Sequence, residues 1–156
     1  NMKHHHNGFF LIEVVVAAAV IAVVLILLLG SIQDSVEVSQ RSLERTQVSY
    51  LLEEGAEAVK AIRDGGWATL AALSNETIYY LSWSGTTWSL TTTPQTTDIF
   101  TRTIVFSAVS RDGNDDIVAS GGTIDTGTRK VTVTTTWTVG GVARSEALQL
   151  YVANIR

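Results

Sequence analysis

The chain contains no cysteine, which excludes a disulfide framework, a thiolate metal site and a cysteine nucleophile together. Its redox compartment therefore leaves no mark on the composition. Histidine is confined to positions 4–6, so beyond that cluster no imidazole is available for a Ser-His-Asp or Cys-His arrangement or as a metal ligand. No glycine-rich phosphate loop follows a strand-like segment. Acidic pairs such as Glu53-Glu54 lie in a helical pattern, where solvation is their simplest role. The expectation is a protein that is not an enzyme. Basic charge is also scarce: 11 Lys and Arg stand against 15 Asp and Glu, for a net charge of −4, with no basic stripe to draw in phosphates. No nucleic acid partner is expected for this chain alone.

What is abundant is apolar length, and it is unevenly spread. The first thirty positions hold most of the surplus, and the Thr- and Gly-rich remainder suffices for one small core of about 90 residues plus part of a long helix. After a polar start, Phe9-Phe10-Leu11-Ile12-Glu13 leads into sixteen apolar residues from Val14 to Leu29 without interruption. A helix from Phe9 to Leu29 would rise ~31 Å at ~1.5 Å per residue, which matches the hydrocarbon thickness of a bilayer. Lys3 lies on the short side, and Asp34 and Glu37 are the first charges on the far side, so the N-terminus is expected in the cytoplasm. An ordinary secretory signal would carry its small-residue cleavage site after the apolar stretch; here the junction of a small residue and a polar leader is Gly8-Phe9, before it. Cutting there keeps the hydrophobic helix in the mature protein.

Glu13 is the second anomaly. An ionised group inside a membrane helix costs about 2.5–3.5 kcal/mol on insertion scales and is by default a functional position with a partner. Cleavage after Gly8 would supply the partner, a new α-amino group on Phe9. Pairing Glu13 of one copy with the Phe9 amine of a neighbour would neutralise both charges and set the axial register of two apolar helices, which packing alone leaves loosely defined.

Gly8 and Phe9, then Leu11-Ile12-Glu13-Val14 and a small-residue-rich apolar helix, together resemble the signal of bacterial type IV prepilins over residues 8–30. In that family a membrane aspartic peptidase cuts after the glycine and methylates the new first residue, here Phe9, and the glutamate five residues in supports assembly. The resemblance implies Gly8-Phe9 as the leader cleavage site, Phe9 as the methylated residue and Glu13 as an assembly residue. It also implies partners: copies of the chain or other pilins in a filament, the prepilin peptidase, an assembly platform with its ATPase, and membrane lipid before assembly. Many major pilins place a proline near the end of the apolar stretch, where this chain has Gly30.

Residues 31–64 keep helical character, with Ile32, Val36, Leu43, Leu51, Leu52, Ala56, Val59 and Ile62 near one stripe. Glu37 to Arg41 and Glu57 to Lys60 are spaced for helical ion pairs, and Asp64-Gly65-Gly66 reads as the stop. Strand patterns follow: Thr77 to Trp83, a Ser84-Gly85 turn, Thr86 to Leu90, a connector around the single proline Pro94, and Ile99 to Val109. In the clearest alternation, Val131, Val133, Thr135, Trp137 and Val139 face one way and Thr132, Thr134, Thr136 and Thr138 the other. Gly140-Gly141 then turns the chain into a last strand with Leu148, Leu150 and Val152 inward. The fold class expected is α+β: a long N-terminal helix, transmembrane then amphipathic, with a C-terminal antiparallel sheet head, pilin-like. Its parts are a leader at 1–8, a polymerisation helix at 9–30, its continuation at 31–64 and a β-rich head at 65–156. The segments Glu53-Glu54-Gly55-Ala56-Glu57-Ala58 and Thr128-Arg129-Lys130-Val131-Thr132-Val133 also resemble a subgroup of bacterial prepilin-type proteins.

No cofactor is expected. Asp112, Asn114 and Asp116 place oxygens at alternating positions, as at the opening of a calcium loop, but Ile117 stands where the motif wants glycine and Thr123 where it wants glutamate, so a solvated turn is the simpler expectation. Trp67, Trp83, Trp88 and Trp137 can form either a carbohydrate- or surface-binding platform or part of the core. The functional expectation is a filament subunit of a type IV pilus or type II secretion-like pseudopilus, held in the cytoplasmic membrane by a single pass and then moved to a cell-surface filament. The alternative is a membrane-anchored binding protein that never polymerises.

Overall fold

The computed structural model describes residues 7–155. Its first element, α1, spans Asn7–Asp64 as one helix of 58 residues. Val and Ile fill much of its first half and are individually modest helix formers, but no proline interrupts the chain before Pro94, and in lipid a helix is the one local structure that pairs every backbone group internally. The helix begins at Asn7, two residues before the start expected at Phe9, and so carries Gly8 and Phe9 in its first turns. A glycine at a helix end costs only about 1 kcal/mol and does not stop it. The rest of the expected leader, including His4–His6, lies outside the described residues. At the other end Gly65 N–H donates to the Ala61 carbonyl at 3.0 Å and Gly66 N–H to that of Arg63 at 2.9 Å. Gly66 has φ 147°, a conformation that a side chain would strain, and the helix ends there.

The chain divides into two compact units, and the border falls inside α1, between Arg45 and Thr46. In the first unit the described side chains from Leu11 to Arg45 are exposed apart from half-buried Glu44. One stretch of α1 is long and apolar enough to cross a membrane. Arg41 pairs with Glu37 one turn away, an exposed contact of the kind that contributes under about 1 kcal/mol.

The second unit joins the rest of α1 to a short helix α2 (Trp67–Ala71) and a seven-stranded antiparallel sheet. The strands are β1 (Ile78–Trp83), β2 (Trp88–Thr91), β3 (Thr96–Thr97), β4 (Phe100–Arg111), β5 (Ile117–Val118), β6 (Thr123–Val139) and β7 (Val142–Ala153). The order across the sheet is β2-β1-β4-β6-β7, with the short β3 and β5 pairing with β4. The β6–β7 hairpin keeps one register from Val139↔Val142 to Thr128↔Ala153, and the alternation read from the sequence fixes its inner face: Val131, Val133, Thr135 and Trp137 are buried and Thr136 and Thr138 exposed. Leu148 and Leu150 are half-buried and Val152 is buried beside them.

These strands pack Tyr79, Leu81, Phe100, Ile104, Phe106, Val131, Val133 and Val152 against Val48, Leu52, Val59 and Ile62 of α1 and Leu70 of α2. The helix comes close at Gly55, where an added Cβ would lie 2.7 Å from Val133 Cγ1. The expected apolar stripe is therefore buried only from Val48 onward. Ile32, Val36 and Leu43, expected to share its cover, remain exposed, because the core that the sheet builds takes no α1 residue before Val48.

Candidate functional site

Among the described residues, the longest run of exposed apolar side chains is on α1. From Val14 to Leu29 every side chain is exposed, and the residues 14–33 carry no charge. Glu13 is exposed at the start of this surface, and the first basic residue after it is Arg41. At 1.5 Å per residue that arginine is ~42 Å along the helix, so α1 offers the carboxylate no cation of its own on that side. Gly8 and Phe9 lie one to two turns before Glu13 in the same helix, which puts residue 9 and residue 13 at the i,i+4 spacing. Beyond a bilayer's length the exposed apolar residues continue: Ile32 is 59% exposed, Val36 51% and Leu43 63%. These three lie within about 40° of one another around the helix at 100° per residue and form a stripe, while Val38, 65% exposed, lies on another face.

Three arginines order the second unit, and the sequence reading did not single out any of them as anchors. Arg102 on β4 donates through Nη1 to the Leu51 carbonyl at 2.8 Å and to Glu54 Oε2 at 2.7 Å, while its guanidinium lies 5.9 Å from the Trp88 ring centre. It ties α1 to the β1–β2 hairpin. Arg129 on β6 is buried, donating to the carbonyls of Leu70 (2.8 Å) and Leu73 (3.0 Å) and to Asn75 Oδ1 (2.7 Å), with its charge over Phe106. Burial pushes the pKa of this guanidinium down, yet an arginine stays charged at any physiological pH. Its signal was present in the sequence, since Arg129 has the same parity as Val131 and Val133 and so must point inward.

Arg111 ends β4 next to an irregularity. Between Ala108 and Val109 the β4–β6 register jumps from Arg129 to Asp125, which leaves 126–128 outside the ladder and flips the inward parity of β4 from Phe106 to Val109. The bend turns Asp125 toward Arg111, whose Nε donates to Asp125 Oδ2 at 2.7 Å, with Nη1 donating to the Asp115 carbonyl at 2.8 Å and Nη2 to Thr128 Oγ1 at 3.3 Å. Asp125 Oδ1 also accepts from Gly127 N–H at 2.8 Å. The Arg111 hydrogen bond first, then Thr128 and the Gly127 N–H, lower the Asp125 carboxyl to about 2.

The loop that held calcium-type spacing is organised by one of its own carboxylates. Asp112 Oδ1 accepts from Asn114 N–H at 2.9 Å and from Asp116 N–H at 3.0 Å, so it caps the turn. Asp115 there has φ 70°. No cluster of three His, Cys, Asp or Glu suited to a metal forms among the described residues. The four tryptophans separate: Trp137 is buried against Phe100, Trp67 packs on the core, and Trp83 and Trp88 meet at the tip of the β1–β2 hairpin. The two segments that carried the second resemblance meet in the fold, through Gly55 on α1 and Val133 on β6.

Comparison with protein-family models, curated proteins and solved structures gives no match.

Proposed function

We propose that the chain is a structural subunit of a type IV pilus or type II secretion-like pseudopilus, which polymerises through its N-terminal apolar helix after cleavage between Gly8 and Phe9. One observation supports this reading above others: α1 is apolar and exposed on all sides through the bilayer-length stretch that follows Glu13, and exposed apolar residues continue for several turns further. A plain anchor needs only the first part. Ile32, Val36 and Leu43 would lie in water on an isolated chain, whereas helix-to-helix packing between copies buries them at the usual ~25 cal/mol per Å². In the membrane the helix waits among lipid tails; in the filament other helices replace them. Glu13 then meets the freed, methylated amine of Phe9 on a neighbour, and the pair sets the axial stagger.

The test is the mass and N-terminal sequence of the protein from its native membrane and from sheared surface filaments. The proposal requires a chain that begins at methylated Phe9 and occurs in the sheared fraction. A chain that keeps residues 1–8 where the peptidase is active, and stays in the membrane, sinks it in favour of a single-pass binding protein.

A further inference from the structure

The β1–β2 hairpin carries a feature outside the apolar helix on which the polymerisation proposal rests. Trp83 and Trp88 are the last register pair before its turn, with ring centres 4.9 Å apart and planes tilted by 50°. Trp88 is half-buried against the core and has Arg102 over its ring, whereas Trp83 is 52% exposed. Exposing half of an indole sacrifices burial that a hydrophobic side chain normally secures. The turn beneath it is tightly built: Ser84 N–H donates to the Thr87 carbonyl at 3.1 Å, Thr87 N–H donates to Ser84 Oγ at 3.2 Å, and Gly85 takes φ 94°. The tryptophans are thus held in place without a ligand.

Between this hairpin and the end of α1 lies a cleft of about 470 Å³. That volume falls within the ~300–1,000 Å³ of small-molecule sites. Trp83, Trp88 and Thr87 of the hairpin line it together with Ala61 and Gly65 at the end of α1 and Thr69 of α2. Among the described residues no charged side chain lines it. An aromatic floor selects a ligand with a flat C–H face, because the negative π face of an indole attracts polarised C–H groups. The hydroxyls of Thr69, Thr86 and Thr87, the last two also bonded to Ser84 Oγ, select a ligand rich in hydroxyls; the lining offers an anion no cation, and a cation, which an indole face also attracts, is the competing class. A pyranose ring joins these properties in one molecule. We infer that this cleft binds a neutral saccharide, stacked on Trp83 and hydrogen-bonded by Thr69 and the hairpin-turn threonines.

The experiment uses the full chain in lipid nanodiscs, which present no sugar-headed detergent. Maltotetraose and tetra-N-acetylchitotetraose are the neutral probes, sialyllactose the anionic one and choline the cationic one, followed by tryptophan fluorescence and saturation-transfer NMR. Saturable binding of a neutral probe is expected, weakened about tenfold or more by Trp83→Ala and much less by Trp83→Phe. Ala61→Arg, at an exposed helix position that points a long side chain at the cleft, is expected to abolish binding while both tryptophans stay in place. Thermal unfolding of each variant shows that the fold is intact. Absence of binding to either neutral probe, stronger binding of choline or sialyllactose, or neutral-probe binding that survives both Trp83→Ala and Ala61→Arg overturns the inference. Loss of filament recovery in Trp83→Ala without any saccharide binding overturns it too, and assigns the cleft to contact with a second copy. Because the binding readout needs no filament, it succeeds or fails independently of the polymerisation proposal.

Discussion

A single buried hydroxyl shows how local the stability of this fold is. Thr135 is fully buried in the run Val131, Val133, Thr135, and its Oγ1 has no hydrogen-bond partner among the described residues. A buried hydroxyl left unpaired costs about 1–3 kcal/mol. Valine has the same branched shape and extends the alternation, so Thr135→Val is expected to raise the thermal midpoint by several degrees, measured by circular dichroism on the sheet signal. Asp125 tests the opposite case. Its carboxyl is held at about 2, below the unfolded value of about 3.9, so its contribution to stability is complete above pH 4 and is lost as pH falls toward 2. Denaturation of the wild type and of Asp125→Asn should therefore give a clear difference at pH 6 that shrinks toward zero near pH 2. A difference that stays constant across that window would show that Arg111 and Gly127 do not depend on the charge.

At the scale of elements, the contact between α1 and the sheet depends on a missing side chain. Gly55 is a costly choice in a helix, about 1 kcal/mol worse than alanine. The close approach of Val133 explains it: an alanine Cβ would lie 2.7 Å from Val133 Cγ1 and 3.2 Å from Arg102 Cδ. Overpacking of that kind costs about 1–3 kcal/mol, more than the helix gains. Gly55→Ala is expected to lose about 1 kcal/mol net in urea denaturation, and Val133→Ala is expected to cost less in that background than in the parent chain. The β4–β6 irregularity is the other element-scale device. It moves Val109 into the inward phase that Phe106 holds before it and brings Asp125 to Arg111. Neither consequence is visible in the pattern of Ile99 to Val109, which reads as one uniform strand and ends two residues short of the real β4.

For the whole molecule, the two units follow different rules. The second unit buries its own core, all of it from Val48 onward. The first exposes an apolar helix with one carboxylate near its start. In the proposed filament, Glu13 and the Phe9 amine of a neighbour neutralise each other among apolar helices, and removing one member of a buried pair costs about 3–5 kcal/mol. Glu13→Gln is therefore expected to leave membrane insertion and cleavage intact, since glutamine is cheaper to insert than glutamate, and to reduce sheared filaments about tenfold or more, scored by immunoblot against the processed membrane pool. Normal filament yield from this variant would remove the proposed role of the carboxylate.

The sequence alone determined the features that depend on composition along one line. A run of sixteen apolar residues can satisfy its backbone in lipid only as a helix, and strict alternation from Val131 to Val139 admits only one inward face for β6. Both ion pairs at helical spacing, Glu37–Arg41 and Glu57–Lys60, form for the same reason, because helix geometry places them together without help from the rest of the chain. The tertiary structure decided what depends on residues far apart in sequence. It chose where along α1 the sheet begins to cover the apolar stripe, which of four tryptophans stay exposed, and that Arg102 and Arg129 serve as internal anchors. Periodicity tells which way a side chain points but not what stands opposite it; that second fact is set by strand order, register and the irregularity between Ala108 and Val109.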